Sequence, residues 1–137
     1  MLAFDINWLA VIVAAVASMV LGFVYYHPRV LGTRWMALMG KSMADVGSAG
    51  PAYALSAVFA LVSAFVVAQF IHWSDSYSLG GGAFIGAIGW LGFTATSTAA
   101  DYVFSGRPWP LWSIQNGYQV LSFALMGAII GAWAPAA

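Results

Sequence analysis

Polar side chains recur at helical spacing within otherwise apolar parts of the sequence. Three of them, Thr94, Thr98 and Asp101, are spaced at i, i+4 and i+7 and therefore share one face of a helix. We expect them to meet polar side chains of neighbouring segments inside a helical bundle. The predicted cluster consists of Thr94, Thr98, Asp101, Asn116, Gln119 and Ser56.

Two kinds of chemistry fit this predicted cluster. Ser, Thr, Asn and Gln side chains form hydrogen bonds between membrane helices, at about 0.6 kcal/mol per contact. Alternatively, Asp101, Asn116 and Gln119 bind a polar head group or solute at a site open to the cytoplasm, since a carboxylate inside a membrane span is costly and needs a partner. A structural ion pair of Asp101 with Arg107 or Arg34 is the simpler interpretation.

Residue types for catalysis and metal binding are scarce. The chain has no cysteine, and its four acidic residues are all Asp. His27 is predicted at the inner membrane boundary and His72 at the outer one, so they face opposite sides of the membrane and cannot share a metal within one bundle. Histidine pairs with metal-ligand spacing and Ser-His-Asp sets are missing. We therefore expect no catalytic residue, no metal and no cofactor, and the sequence does not predict an enzyme.

The overall composition indicates an integral membrane protein. Of the 137 residues, 63% are hydrophobic and 6% are charged, whereas a soluble domain carries about 25% charged residues. The formal net charge is zero, so there is no basic excess that would bind nucleic acid. The expected environment is a lipid bilayer, and nucleic acid is excluded as a partner.

Four long apolar stretches are each able to cross a bilayer, which requires about 20 mostly apolar residues. None shows the period-two alternation of barrel strands. We predict an all-α membrane protein: one four-transmembrane-helix bundle over residues 1–137, with two tandem helical hairpins as one possible origin because Leu-Gly-Phe occurs in both the first and third stretches. The predicted spans are residues 6–26, 52–73, 82–104 and 111–133.

Basic residues indicate which connections face the cytoplasm. Arg29, Arg34 and Lys41 all lie in the first connection, and Arg107 lies in the third. The positive-inside rule places both connections in the cytoplasm and both termini outside. The first span lacks a basic n-region and a cleavage site, so we expect it to remain in the mature protein.

The first connection, residues 27–50, is too rich in Met, Leu and Trp for a plain linker. It is predicted either to lie on the membrane surface or to pack as an ordered loop under the bundle. Thr33 is expected to cap a short helix that Gly40 ends, and residues 42–45 have capping-box spacing for another turn.

Glycine pairs at four-residue spacing predict close contacts between helices. Gly82 and Gly86 form one pair, and Gly127 and Gly131 form the other. In lipid, helices associate through van der Waals contact, which small residues permit. The spacing leaves open whether these contacts form within one chain or between chains.

Several motifs along the chain resemble those of one protein family. They are NWLA at 7–10, LGFVYYHP at 21–28, WLGF at 90–93, FSGRP at 104–108, IQNGY at 114–118 and GAIIGAW at 127–133. On these residues the chain resembles a family of small bacterial membrane proteins catalogued as domain of unknown function 1761. The resemblance implies four helices and a bacterial membrane, and it supplies no activity, cofactor or catalytic residue.

Three classes of function fit these observations. The favoured one is a non-catalytic membrane protein, a structural or accessory subunit that acts through helix packing in a homo-oligomer or a larger membrane complex. The second is a small channel or transporter for a polar solute, which requires a continuous polar track. The third is a binder of a lipid, quinone or pigment that uses Trp90, Phe93 and neighbouring aromatic residues.

Overall fold

The structure, a computed structural model, describes residues 1–40 and 50–133. This described part is all-helical and contains no strand, which confirms the all-α part of the predicted fold class. Two π-helical segments occur in it. Pro28–Gly32 directly precedes a short helix, and Trp90–Ala95 interrupts a long one. The five helices are α1 (Trp8–Tyr25), α2 (Thr33–Met39), α3 (Gly50–Ser74), α4 (Leu79–Ser105) and α5 (Trp109–Ala132).

Three of these helices, α1, α3 and α4, are long and apolar enough to cross a membrane. The chain is therefore compatible with membrane insertion. Helix α5 has 24 residues but is not one of the three. Gln115, Asn116 and Gln119 make its first half polar, so the predicted count of four spans is not confirmed by length and composition.

The first connection contains the short helix that the sequence predicts. Helix α2 ends at Gly40, which has a φ of 70° and so adopts the left-handed conformation that glycine favours. The prediction that Thr33 caps this helix is wrong: Thr33 is its first residue, and its hydroxyl donates instead to the Pro28 carbonyl oxygen at 2.9 Å. The predicted turn at 42–45 lies outside the described residues.

Helices α4 and α5 pack backbone against backbone. A Cβ atom on Gly82 would collide with the Gly127 carbonyl oxygen, and one on Gly86 would collide with the Phe123 carbonyl oxygen. Gly131 faces the backbone of Gly82 in the same way. We call these contacts the glycine seam. The close packing predicted from the glycine pairs is confirmed, and it occurs within one chain.

The core lies where α1, α3 and α5 meet. Ala10 and Ala14 of α1 and Ala64 of α3 have no exposed surface, and larger side chains such as Ile71 and Met126 fill the space beside them. Small residues on α1 and α3 thus let the two helices approach closely, while α5 supplies bulk.

Helix α3 packs against the bundle through its C-terminal half. Its buried residues begin at Ala64, whereas Tyr53 and Phe59 are more than half exposed. The bundle is therefore tight at the end that holds the chain's N-terminus, which we call the N-terminal end. It is more open at the end that holds the described arginines, which we call the basic end.

Candidate functional site

Asn116 is the centre of a buried polar cluster between α4 and α5. It is 3% exposed, and its Oδ1 accepts hydrogen bonds from Trp90 Nε1 at 3.1 Å and Thr98 Oγ1 at 3.4 Å. Its Nδ2 donates to the Trp112 carbonyl oxygen, one turn earlier in α5, at 3.2 Å. Both ends of the buried amide are paired within the chain, as the high cost of an unpaired buried amide requires.

Thr98 closes this cluster from the α4 side. Its hydroxyl oxygen accepts from Trp112 Nε1 at 3.1 Å and lies 2.7 Å from the Thr94 carbonyl oxygen, to which it donates. Because a hydroxyl carries one hydrogen, Thr94 and Asn116 share it. We call the four side chains of Trp90, Thr98, Trp112 and Asn116 the Asn116 network.

The π-helical segment of α4 explains how two of these side chains reach one oxygen atom. In a regular α-helix, residues eight apart differ by about 80° around the axis, and residues seven apart differ by about 20°. Trp90 and Thr98 are eight apart, but the π segment Trp90–Ala95 adds one residue between them. They therefore share a face and both bind Asn116.

Consecutive hydroxyl groups supply extra donors to the carbonyl oxygens of this segment. Thr96 Oγ1 donates to the Gly92 carbonyl oxygen at 2.9 Å, and Ser97 Oγ donates to the Phe93 carbonyl oxygen at 2.7 Å. Thr98 continues the series. In a π-helix a carbonyl accepts from the N–H five residues on, so a hydroxyl four residues on provides a second donor. The run of Thr and Ser thus favours the π segment locally.

Tyr102 is the last buried residue of α4 toward the basic end. Tyr102 is 3% exposed, and its hydroxyl donates to Gln115 Oε1 at 2.6 Å. The Arg107 guanidinium lies over the Tyr102 ring, with Cζ 4.2 Å from the ring centroid. Arg107 also forms an ion pair with Asp101, whose side chain is 60% exposed. The predicted ion pair of Asp101 and Arg107 is present, and it lies at the surface.

Several predicted cluster residues lie outside the network. Ser56 is exposed, because its half of α3 stands away from the bundle. Gln119 is half-buried and makes none of the network's hydrogen bonds, and Thr94 contributes only its carbonyl oxygen. Asp101 faces outward, and Tyr102 takes the buried position. Spacings of three and four residues fit one helix face equally, and the charged residue occupies the exposed flank of that face.

The arginines predicted to mark one membrane boundary gather at the basic end. Arg29 and Arg34 are exposed on the segment that follows α1. The Tyr25 hydroxyl donates to a carbonyl oxygen in the first two turns of α5, at 2.6 Å, so the end of α1 lies beside the start of α5. Arg107 immediately precedes α5. Lys41, the fourth predicted boundary residue, lies outside the described residues.

Three residues of the site were not predicted as hydrogen-bonding partners: Trp90, Trp112 and Tyr102. Their apolar rings suggest an interface or an apolar ligand, whereas in the structure their N–H and O–H groups link α4 to α5. The signal that identifies them is chemical. A buried indole or phenol needs an acceptor, and Asn116, Thr98 and Gln115 supply one each.

A second buried amide fastens the N-terminus to α3. Gln69 is 1% exposed, its Oε1 accepts from the Ala3 N–H at 2.7 Å, and its Nε2 donates to the Ala3 carbonyl oxygen at 2.8 Å. One turn on, Trp73 Nε1 donates to the Met1 carbonyl oxygen at 3.0 Å. The polar group of Gln69 is thus fully used by backbone atoms of the same chain.

Titratable residues lie in and beside the turn between α3 and α4, at the N-terminal end of the bundle. His72 Nδ1 lies 3.3 Å from the Tyr77 hydroxyl. Burial raises the pKa of Tyr77, and the negative charges of Asp75 and Asp5 add to that increase. Among residues 1–40 and 50–133, no three His, Cys, Asp or Glu side chains are grouped closely enough to hold a metal ion.

An apolar groove runs between α3 and α4 near the N-terminal end. Its volume is about 450 Å³, and its walls include Phe70 and Trp73 of α3 and Ile88 and Phe93 of α4. The rings of Phe70 and Phe93 stack with their centroids 6.1 Å apart. Gly92 also lines the groove, and a Cβ there would touch nothing. The groove has the chemistry of a hydrocarbon-binding surface.

Fold and site together define an all-helical protein with apolar helices compatible with membrane insertion and with two buried amides paired inside the chain. A family model described as "Protein of unknown function (DUF1761)" matches residues 9–131. The chain therefore belongs to the DUF1761 family, and the resemblance predicted from its motifs is confirmed. No curated protein and no solved structure matches the chain.

Proposed function

We propose that this protein is a non-catalytic integral membrane protein, a structural or accessory subunit that acts through helix packing in a homo-oligomer or a larger membrane complex. One observation carries the proposal. The buried amides of Gln69 and Asn116 are paired within the chain, while large apolar side chains along α1, α3 and α4 are exposed. Such a molecule offers apolar helix surfaces to lipid or to other helices, and its buried amides are already occupied.

Helix α5 is the fourth transmembrane helix of this proposal. Its 24 residues give about 36 Å of helix, enough for a hydrocarbon core of about 30 Å. Two of its polar residues, Asn116 and Ser122, are buried, whereas Leu121 is 51% exposed. A span with a polar inner face is stable in a bilayer when its polar groups find partners inside the bundle.

The protein is proposed to lie in the inner membrane of a bacterium. In the proposed orientation its basic end faces the cytoplasm and both termini lie outside. Arg29, Arg34 and Arg107 lie at that end, which the positive-inside rule assigns to the cytoplasm. Topology reporters fused after Ala137 and inserted at Lys41 test it. We expect an outside signal from the first fusion and a cytoplasmic signal from the second, and equal signals from both would overturn the four-span topology.

The functional part of the proposal is tested by purification from the native membrane in a mild detergent. The affinity tag belongs at the C-terminus, because Gln69 and Trp73 bind the backbone of Ala3 and Met1. Native mass spectrometry then gives the assembly. We expect a multiple of the 14.5 kDa chain or a stoichiometric complex with another membrane protein. A monomer that carries a bound small molecule would contradict the proposal.

The groove between α3 and α4 supports a second candidate, the binding of a lipid, quinone or pigment. Phe70, Trp73 and Phe93 provide flat apolar walls, and Gly92 leaves room beside them. Organic extraction of the same native preparation, followed by mass spectrometry, measures any such ligand. Gly92→Leu fills the groove, so a ligand that disappears in this variant is bound there, and one that persists is not.

A further inference from the structure

The π segment divides α4 into two halves that are held in different ways. Residues Leu79–Gly89 are fixed on α5 by the glycine seam. Residues Thr96–Ser105 are held by side chains, through the Asn116 network and the bond from Tyr102 to Gln115. Large side chains of this second half, Val103 and Phe104, are exposed. The second half can therefore rotate without disturbing the seam.

Relaxation of the π segment to regular α-helix has a definite geometric result. Removing the one-residue insertion turns the second half by about 100°, because each residue of an α-helix advances by that angle. Every residue after the segment then takes the place now held by the next one. Ser97 replaces Thr98 beside Asn116, and Asp101 replaces Tyr102 beside Gln115.

The chain carries suitable side chains for both arrangements. Ser97, like Thr98, has a hydroxyl that can donate to the Asn116 oxygen. Tyr102 now donates to Gln115 Oε1, and the Asp101 carboxylate can instead accept from the Nε2 of the same amide.

We propose that the π segment Trp90–Ala95 is a two-state joint that carries Asp101 between the surface and the interior of the bundle. In the π state Asn116 binds Trp90 and Thr98, and Asp101 pairs with Arg107 at the surface. In the α state Asp101 faces Gln115. The inference concerns α4 alone, so it holds whether or not the protein assembles as proposed above.

The surroundings of the joint allow this movement. The Asp101–Arg107 pair is exposed, and exposed ion pairs contribute little stability, so it does not lock the π state. Gly106 follows α4 with a φ of 68°, and a glycine absorbs changes of backbone angle more easily than other residues. The residue that selects the π state is Tyr102, because its hydroxyl bond to Gln115 exists in that register alone.

Cysteine labelling measures the register directly, because the chain has no native cysteine. Ala99 is half-buried, and Ala100 is exposed. In the α state Ala99 moves to the exposed position of Ala100, whereas Ala100 moves to that of Asp101, which is also exposed. Ala99→Cys is therefore the reporter, and Ala100→Cys is the matched control. Both are labelled with N-ethylmaleimide in detergent micelles.

Tyr102→Phe removes a hydrogen bond that only the π state makes, because the Tyr102 hydroxyl leaves Gln115 in the α state. We expect the labelling rate of A99C relative to A100C to rise about fivefold in Y102F, the effect of losing one net hydrogen bond. An unchanged ratio in Y102F overturns the joint.

Deletion of Gly92 distinguishes a register change from general loosening. It makes Trp90 and Thr98 seven residues apart, so a regular α-helix keeps the present face inward and no joint remains. We expect Y102F to raise the A99C ratio in the full chain and not in the deletion variant. A rise of equal size in both chains means that Y102F only loosens the packing, and it overturns the proposal. If the deletion variant does not fold, the Y102F result in the full chain decides.

Discussion

The two halves of α4 pack on the same partner by opposite means. Its first half has glycines where it meets α5, and Gly82 faces Gly127 with no side chain between the helices. Its second half meets α5 through large or polar side chains, with Thr98 and Tyr102 bound to residues of α5. One helix is thus fixed in its first half by the absence of side chains and in its second half by hydrogen-bonding side chains.

This difference has a physical consequence for tolerance to change. Backbone contacts have one geometry, so any added atom in the glycine seam must push the helices apart. A hydrogen-bond network depends on a few donors and acceptors, so it loses most when its central acceptor, Asn116, is removed. Substitutions in the two halves should therefore differ in how much they lower the stability and in which contacts they disrupt.

The largest effect is expected from Gly82→Ala in the glycine seam. The new Cβ collides with the Gly127 carbonyl oxygen, and the free energy of unfolding should fall by about 3 kcal/mol or more. Gly89→Ala is the matched control in the same helix, since its Cβ meets nothing and should add up to about 1 kcal/mol through helix propensity. Denaturant titration in micelles measures both, and equal stabilities would contradict close packing.

The second-largest loss of stability is expected from a substitution in the Asn116 network. Asn116→Ala leaves the indole of Trp90 without its acceptor and should lower the free energy of unfolding by about 2 kcal/mol. Gln119→Ala is the control, because Gln119 lies on the same helix outside the network and its loss should change stability by less than about 0.5 kcal/mol. Equal losses from both variants would show that the network contributes no specific stability.

A smaller effect is expected at the N-terminal end from Gln69→Leu. It removes both hydrogen bonds to Ala3, but the freed backbone can bind water, so the cost should be about 1 kcal/mol. The change should be local: the amide of Ala3 exchanges faster with deuterium, while amides of the glycine seam keep their rates. Unchanged exchange at Ala3 would mean that Gln69 does not fasten this segment.

The smallest effect is expected for the ion pair of Asp101 and Arg107. Both side chains are well exposed, so a double-mutant cycle with Asp101→Asn and Arg107→Gln should give a coupling energy below about 1 kcal/mol, reduced further by salt. A cycle of Asp101 with Arg34 is the control and should give no coupling. A large coupling that salt does not change would place the pair in the interior.

The features that follow from regular helical spacing could be predicted from the sequence. Gly82 and Gly86 lie before the π segment, where the regular helix period holds, and the structure places both in the seam. The short helix α2 also follows from its apolar residues and from Gly40. These features depend only on neighbours along the chain.

The details of the polar cluster could not be predicted in this way, because they depend on the rotation of α4 about its axis. The π segment inserts one residue, so Trp90 and Thr98 share a face of the helix. In a regular α-helix they would not. Asp101 and Tyr102 are both compatible with one face, and the contact between Tyr102 and Gln115 decides between them. The divergence of α3, which leaves Ser56 exposed, likewise follows from packing of the other helices.

Native-state hydrogen exchange of α4 in micelles tests the central comparison most directly. The account predicts that amides of residues 82–89 exchange only through global unfolding, because the glycine seam must open first. Amides of Thr96–Ser105 should exchange faster through a local opening, and Asn116→Ala should accelerate these alone. Equal protection of both halves, with equal acceleration by the substitution, would contradict the account.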